Sequence, residues 1–456
     1  MDLHLDLASA AGSSLRERVE NALRDSIRGG VLAPDTRLPA SRALCAQLGV
    51  SRGVVVDAYA QLVAEGYLTA RHGAGTSVAA TEAPRAAGPA RPPLPTGIRH
   101  DLSPFVPNLA AFPRTALRAA VGRVLRDAPD ARLGLPDGAG AIELRSALAA
   151  YLGRSRGVRT TPDQIVVTNG LRQALGLLWA ALAATGTRLV GAEHPGWRGV
   201  SETALDAGMT VAQLPVDEHG LIVDCLAAHD GVGVVVVAPA HQYPSGAVLS
   251  PARRTQLVAW ARASGGLIVE DDYDAEYRYD REPIGSLQGL APDHVVYGGS
   301  ASKSLAPGVR LGWLVLPRDL AGELAALQVR RGGMPASLQQ LAMADLIAGG
   351  ELDRHLRRQR RSYRRRRDAL LAELARRLPE AGVHGAAAGL FLVLHLPRGV
   401  EEAAVLARAR AIGLSLEGLG GDTPGLVLGY ANLPEAAVAS AVAALAASVR
   451  GARRYL

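Results

Sequence analysis

Lysine is nearly missing from this chain of 456 residues: of its 50 basic side chains only Lys303 is a lysine, leaving 49 arginines. Where a positive charge alone is needed, arginine serves, and it grips carboxylates and phosphates better. A guanidinium cannot lose its proton near neutral pH and attack a carbonyl carbon, which is the lysine chemistry of Schiff bases. A strong arginine bias can also leave one lysine by chance, so the neighbours of Lys303 must decide. Cysteine is scarce too. Cys45 and Cys225 are the only two, with no CxxC and no Cys/His cluster, which argues against a disulfide framework and a zinc site. No apolar run reaches the roughly 18 residues of a membrane span. The opening stretch MDLHLDLASAAGSSLRERV is acidic and lacks a signal-peptide pattern, so the expected compartment is the cytoplasm, with no membrane partner.

What is present is the composition of a globular protein, with 48% hydrophobic and 20% charged residues, over a length that calls for two or three domains. The net charge of +7 invites a nucleic-acid partner, but its location matters more than its size. Residues 1–80 hold eight arginines against eight acids and are neutral overall. Residues 351–377 hold eleven arginines against four acids, a surplus of seven that equals that of the whole chain.

Residues 80–100, ATEAPRAAGPARPPLPTGIRH, contain five prolines and no periodicity, and read as a linker at 81–100. Before it, Leu15, Val19, Ala22, Leu23 and Ile27 fall at helical spacing. LPASRALCAQLGVSRGVVVDAYAQLVAEGYL then reads as two helices split by the tight turn LGV, with Ser51 capping the second, and GYLTARHGAGTSVA as strand, Gly turn and strand. Helix, helix-turn-helix and β-wing make residues 1–80 a winged helix-turn-helix unit. Arg42, Ser51 and Arg52 are placed to meet phosphates or base edges, and Arg71 and His72 lie on the wing. Past the linker, short apolar runs ending in polar or Gly residues alternate with amphipathic stretches, the pattern of a parallel sheet buried on both faces. Ligands of such α/β sheets sit at the carboxyl ends of the strands.

Four strand ends bear compatible chemistry. VVTNGLRQAL runs from strand through Asn169 and Gly170 into a helix, so the backbone N–H groups of Gly170 and Leu171 can face an anion. In AEHPGWRG the indole of Trp197 stands just past a strand, where it can stack on a flat ring. LIVEDDYDAEY brings Asp271 and Tyr273 to one side of a strand end. GGSASKSLAPGVRLGW supplies Ser300, Ser302, Lys303 and Arg310, an amine among hydroxyls with a guanidinium suited to phosphate. An amine, a phosphate cradle, a stacking aromatic and a buried carboxylate are the parts that pyridoxal 5'-phosphate requires.

This order of parts resembles the aminotransferases of fold type I, with HQYPSG at 241–246, including Tyr243, like that family's Asn/Tyr-Pro-x-Gly turn. RLPASRALCAQLGVSRGVVVDAYAQL and RHGAGTSV resemble the GntR winged helix. The two joined by a Pro-rich linker resemble the MocR family of transcription regulators, whose character EDDYDAEY and SASKSLAPGVRLGW carry. The resemblance implies an α/β chain: the winged helix-turn-helix at 1–80, and at 101–456 a pyridoxal-phosphate-dependent transferase fold of type I with a mostly parallel sheet and a small C-terminal α+β subdomain from about 325. It implies that Lys303 forms the Schiff base, that Asp271 pairs with the pyridine nitrogen, and that Tyr273 contacts the ring hydroxyl while Trp197 stacks. Tyr243 would line the cofactor site, and Ser300, Ser302, Arg310 and the turn at Asn169, Gly170 and Leu171 would hold phosphate. Glu270 or Asp272 replaces Asp271 if the strand register differs. The implied partners are operator double-stranded DNA, pyridoxal phosphate or an amine as effector, and a second copy of the chain.

Two departures from the family pattern bear on activity. Relatives usually carry an aromatic residue that reaches the neighbouring subunit's cofactor where this chain has Leu135. Aminotransferases and amino-acid-sensing relatives often carry a carboxylate-gripping arginine near where Val427 stands, and a valine makes no such pair. The expectation is a regulator whose effector is pyridoxal phosphate itself; the alternatives are an amine-sensing regulator and a working aminotransferase, with Arg330, Arg331 or an arginine of a partner subunit as substitute clamp. The run RHLRRQRRSYRRRRDAL, 354–370, has the usual reading of a solvated helix face. A second reading has Arg357, Arg361, Arg364 and Arg365 touching DNA bent around the large domain.

Overall fold

The computed structural model describes residues 3, 5, 7, 10–71, 75–79, 97–279, 284–385, 387–420 and 423–453. His72 and linker residues 81–96 lie outside the described residues. The chain divides into two units, Met1–Thr96 and Gly97–Leu456.

In the first unit, α1 (Leu15–Arg28) starts at Ser14, whose hydroxyl accepts from the Glu17 N–H while Glu17 reaches back, a capping box that satisfies two otherwise orphan donors. Of the expected stripe, Val19, Ala22, Leu23 and Ile27 form its buried face, while Leu15, the first residue of the helix, is exposed. Helix α2 (Ser41–Leu48) ends at Gly49, whose φ of 65° turns the chain into α3 (Arg52–Ala64). Ser51 caps α3 by accepting from the Val54 N–H at 3.4 Å. Leu44, Val55, Ala58 and Leu62 close the core over α1. Strands β1 (Leu68–Arg71) and β2 (Gly75–Val78) pair antiparallel as the wing.

The second unit is built on eight strands: β3 (Ile165–Thr168), β4 (Leu189–His194), β5 (Thr210–Asp217), β6 (Gly220–Leu221), β7 (Val232–Val237), β8 (Leu267–Asp272), β9 (Val295–Ser300) and β10 (Gly312–Val315). Their order is β3-β10-β9-β8-β7-β4-β5-β6. Neighbours from β9 to β5 run parallel, while β10 runs antiparallel to β9 and β3, and β6 to β5. Alternate residues enter different cores: Val234 and Val236 on one face, Val235 and Val237 on the other. Burial on both faces is why these strands read as continuous apolar runs. A second sheet, antiparallel throughout, orders β11 (Gly382–His384), β12 (Phe391–His395), β14 (Gly425–Gly429) and β13 (Glu417–Gly418). The long helix Glu351–Arg377 buries Leu352, Leu356, Tyr363, Leu370 and Leu374 on one face. Residues 100–101 pair with 414–415, so the end of the expected linker is already tied into the second unit.

Candidate functional site

A cleft of about 270 Å³ opens where β3, β4, β7, β8 and β9 end, lined by Gly170, Leu171, Trp197, Tyr243, Asp271, Tyr273, Ser300, Ser302, Lys303 and Arg310 among others. Ten of the eleven residues expected at a cofactor site thus meet there. The eleventh, Asn169, does not line it. Its side-chain amide donates to the Gly333 carbonyl at 2.7 Å and its own carbonyl accepts from Arg310 Nη2 at 2.7 Å, so it steadies the guanidinium from behind.

The register of β8 decides among the three adjacent acids. Glu270 points away and accepts from the Ser286 hydroxyl at 2.6 Å and the Gln288 N–H at 3.1 Å. Asp272 accepts from Arg156 Nε at 2.7 Å, with both side chains 2% exposed. Removing one member of such a buried pair costs about 3–5 kcal/mol, so Asp272 is held by the fold. Asp271, on the opposite face of the strand, turns into the cleft, where its buried Oδ1 has no hydrogen-bond partner among the described residues. Burial, then the charges of Asp272 and Asp274, push its carboxyl up to about 7, against the pull of Lys303.

Lys303 follows β9 on the short helix Ala301–Ser304. Its Nζ donates to the Phe105 carbonyl at 3.1 Å and stands 4.8 Å from the Phe105 ring centroid. Desolvation brings the ammonium down to about 8, opposed by Asp271, Asp274 and Glu417. At pH 7 about a tenth of such an amine is neutral, against about one part in 3,000 for an ordinary lysine. Only the neutral amine attacks a carbonyl. The rate of attachment of a reactive aldehyde, trapped by borohydride on the full chain, therefore rises about tenfold per pH unit from pH 6 and levels near pH 8. A rate still climbing steeply past pH 9 would show an unperturbed amine.

At the other end of the cleft, Gly170 opens the helix Leu171–Ala184 with φ 95°, a conformation that favours glycine, leaving the first N–H groups facing the cleft. A Cβ on Gly170 would stand 3.5 Å from the Arg310 guanidinium, which lies over this helix start. A Cβ on Gly312 would meet the Gly170 backbone at 2.8 Å, so only glycine lets β10 approach the cradle so closely. Ser300 accepts from the Ser302 N–H at 3.1 Å, fixing the loop that carries Lys303. N–H groups, hydroxyls and a guanidinium converge as an anion site, and Asp271 offers a vacant acceptor across the cleft. The residues present fit a phosphorylated, protonated pyridine carrying a carbonyl.

Several cleft residues escaped sequence reasoning. Phe105, with φ 68°, packs its ring 4.5 Å from Tyr243 and 5.5 Å from Tyr273. Glu193 lines the floor, where burial pushes its carboxyl up to about 8 although the Ala238 N–H donates to it at 3.2 Å. His241 holds Asp274 at 2.9 Å and stacks on Phe391 at 4.6 Å, while its carbonyl accepts from the Tyr273 hydroxyl at 2.7 Å. Tyr243 donates to Glu417 at 2.8 Å. Rarity is a usable signal: the chain has three phenylalanines, and Phe105 and Phe391 meet here. Val427 is fully buried in that cluster with Tyr273, Phe391 and Val393. The basic side chains lining the cleft are Arg172, Lys303 and Arg310, and Arg172 is paired with Glu202 at 2.8 Å. Neither Arg330 nor Arg331 lines it. Leu135 is 90% exposed.

In the first unit Arg42, Ser51, Arg52 and Arg71 are all exposed, at the start of each helix of the turn motif and on the wing. Arg24 pairs with Glu65 and Arg28 with the Tyr67 hydroxyl, whereas Arg42, Arg52 and Arg71 have no ionic partner among the described residues. Arg37, which sequence reasoning passed over, bridges to Ser77 beside the wing and is also exposed. Residues 1–80, of zero net charge, thus present unpaired, exposed arginines on the turn motif and the wing.

Residues 15–78 match the gntR family of bacterial regulatory proteins. Residues 109–416 match the family of class I and II aminotransferases. The chain is 34% identical to the HTH-type pyridoxine biosynthesis transcriptional regulator PdxR of Corynebacterium glutamicum, over 95% of this chain and 96% of that one. It is 32% identical to the probable rhizopine catabolism regulatory protein MocR of Rhizobium meliloti, over 92% and 90%. A kynurenine aminotransferase of Pyrococcus horikoshii, solved in complex with PMP, superposes with a TM-score of 0.72 at 24% identity, over 79% of this chain and 93% of that one. The two units together define a DNA-binding transcription regulator whose second unit has the fold of a class I or II aminotransferase, with pyridoxal phosphate as the cofactor of that fold family. The chain belongs to the MocR family of such regulators. No helix among the described residues is long and apolar enough to cross a membrane.

Proposed function

We propose that the protein regulates transcription in response to pyridoxal phosphate itself, binding operator DNA through residues 1–80 as a cytoplasmic homodimer and the cofactor in the cleft of residues 101–456. The observation that carries the reading is the vacant, buried Asp271 Oδ1 facing the same cleft as the only lysine. Bound there, the cofactor supplies an aldehyde for covalent attachment and a ring that withdraws electrons when its nitrogen is protonated. Asp271 accepts from that ring nitrogen and keeps its proton in place. Phe105 holds Lys303 at the cleft through its carbonyl, and Trp197 covers the ring. Gly170, Leu171, Ser300, Ser302 and Arg310 bind the phosphate, and the Tyr273 and Tyr243 hydroxyls border the ring's polar edge.

On the side beyond Lys303 the cleft is lined by Phe105 and Tyr243, which pack on the buried Phe391 and Val427, with Glu417 bonded to the Tyr243 hydroxyl. A substrate carboxylate entering there meets an apolar wall and one acid. Orientation of a substrate for transamination needs a carboxylate clamp, so the arrangement favours sensing over turnover. The test is operator affinity of the purified chain, stripped of cofactor, then with pyridoxal phosphate alone, then with a panel of amines that includes 4-aminobutyrate and taurine. The cofactor alone is expected to shift affinity. An unchanged affinity with the cofactor, combined with a shift by one amino acid, overturns this reading in favour of an amine sensor with a clamp from elsewhere.

A further inference from the structure

Helix Glu351–Arg377 carries the basic surplus of the whole chain, and the structure shows how that charge is distributed. Every acid on it already has a guanidinium: Glu351 that of Arg354, Asp353 that of Arg154, Asp368 that of Arg367, and Glu373 those of Arg376 and Arg377. The neighbouring Glu435 takes Arg365 at 2.8 Å. Arg360 and Arg366 donate to the carbonyls of Glu276 and Ala431. What remains is Arg357, Arg358, Arg361 and Arg364, all exposed and without a salt-bridge partner among the described residues, with Arg357, Arg361 and Arg364 on one face. Arg358 lies beside these three and helps Arg354 lower the Glu351 carboxyl. The opposite face is anchored by His355, Leu356, Gln359 and Tyr363, so the stripe is presented on a rigid support.

We propose that Arg357, Arg361 and Arg364 form a second DNA contact, holding backbone phosphates that flank the operator. The proposal rests on the reading of the chain as a DNA-binding regulator. Three positions spaced four and three apart span about 10 Å of helix, the axial length of about three phosphates along one strand at 3.4 Å each. Guanidinium is the side chain best matched to phosphate oxygens, and an unpaired set releases counterions without first breaking an ion pair. The need is set by the winged helix-turn-helix: residues 1–80, with eight arginines against eight acids, have no net charge, so a general attraction for DNA has to come from elsewhere.

The experiment uses the full chain and a duplex selected by it from a random pool, in two lengths: the protected base pairs alone, and the same site with about 30 flanking base pairs on each side. The triple variant Arg357→Gln, Arg361→Gln, Arg364→Gln keeps good helix formers at exposed positions. On the long duplex its affinity should fall by at least about tenfold at low salt, and the slope of log K against log salt should lose between two and three units, at about 0.9 per phosphate. On the short duplex wild type and variant should bind alike. Equal affinity and slope on the long duplex overturn the proposal. So does an equal loss on both lengths, which places the defect in operator recognition, and so does unchanged DNA binding with a loss of self-association, which makes the stripe a protein contact. Failure of the wild-type chain to select any duplex would instead refute the regulator reading itself.

Discussion

Lys303→Arg, which conserves the charge and nearly the length of the side chain, is expected to abolish covalent retention of the cofactor. A purified wild-type chain given pyridoxal phosphate should be yellow, and borohydride should fix the cofactor's mass on Lys303 and on no other residue. The variant should stay colourless and unlabelled. The argument is one of proton loss: with the amine at about 8, about a tenth is reactive at pH 7. A guanidinium keeps its proton throughout the neutral range, so the variant offers essentially no neutral nitrogen for attachment. Charge and anion attraction persist in the variant, so its cleft still admits the phosphate, and non-covalent binding at high cofactor concentration separates loss of chemistry from loss of the site. A normal absorption band in the variant would remove Lys303 from its assigned role. Operator binding by the cofactor-free variant should match wild type while its response to the cofactor disappears, because the first unit does not contain the substitution.

What made this site readable in the sequence was local. A lysine with no other in the chain, hydroxyls one and three residues before it and a guanidinium seven residues on all lie in one short run. Strand ends followed by Gly or Asn told where the parallel sheet would place its ligand, because a sheet buried on both faces has to end in polar residues. The period of two along β8 sent Asp271 and Tyr273 to one side, and pairing of Asp271 with Gly298 in the register with β9 fixed which acid faces the cleft. What was hidden was brought in from afar. Phe105 stands 198 residues before the lysine it holds, in a segment without a regular element, and its contact is made by a backbone carbonyl that no side-chain pattern reveals. Asn169 looked like a phosphate ligand until the Gly333 carbonyl, 164 residues later, took its amide. Arg360, Arg365 and Arg366 look in sequence like the free arginines of the long helix, and only the positions of Glu435 and of the carbonyls of Glu276 and Ala431 distinguish them.

Replacing Arg42 and Arg52 together by alanine is expected to abolish specific operator binding at physiological salt. The first unit cannot rely on a diffuse field, so recognition has to come from a few placed guanidiniums. Arg52 is the first residue of α3, directly after its cap Ser51, and N-terminal residues of the second helix of such a motif reach base edges. Arg42 lies in the first turn of α2, the helix that crosses the backbone in this geometry. A lost base contact costs about 1–3 kcal/mol and relaxes specificity at that position, while a lost phosphate contact weakens all sequences alike and lowers the salt slope by about one. The two together should cost tens-fold to several-hundred-fold in affinity, enough to bring specific binding down towards the non-specific level. Titrating each single variant against the selected duplex and against one with scrambled sequence separates the roles. Arg52→Ala should narrow the gap between the two duplexes, and Arg42→Ala should lower both while leaving the gap. Both residues are exposed and have no ionic partner, so the fold of the unit should survive, which circular dichroism can check. If the double variant binds the selected duplex as wild type does, the recognition helix is not α3, and the free Arg37 and Arg71 beside the wing become the next residues to replace.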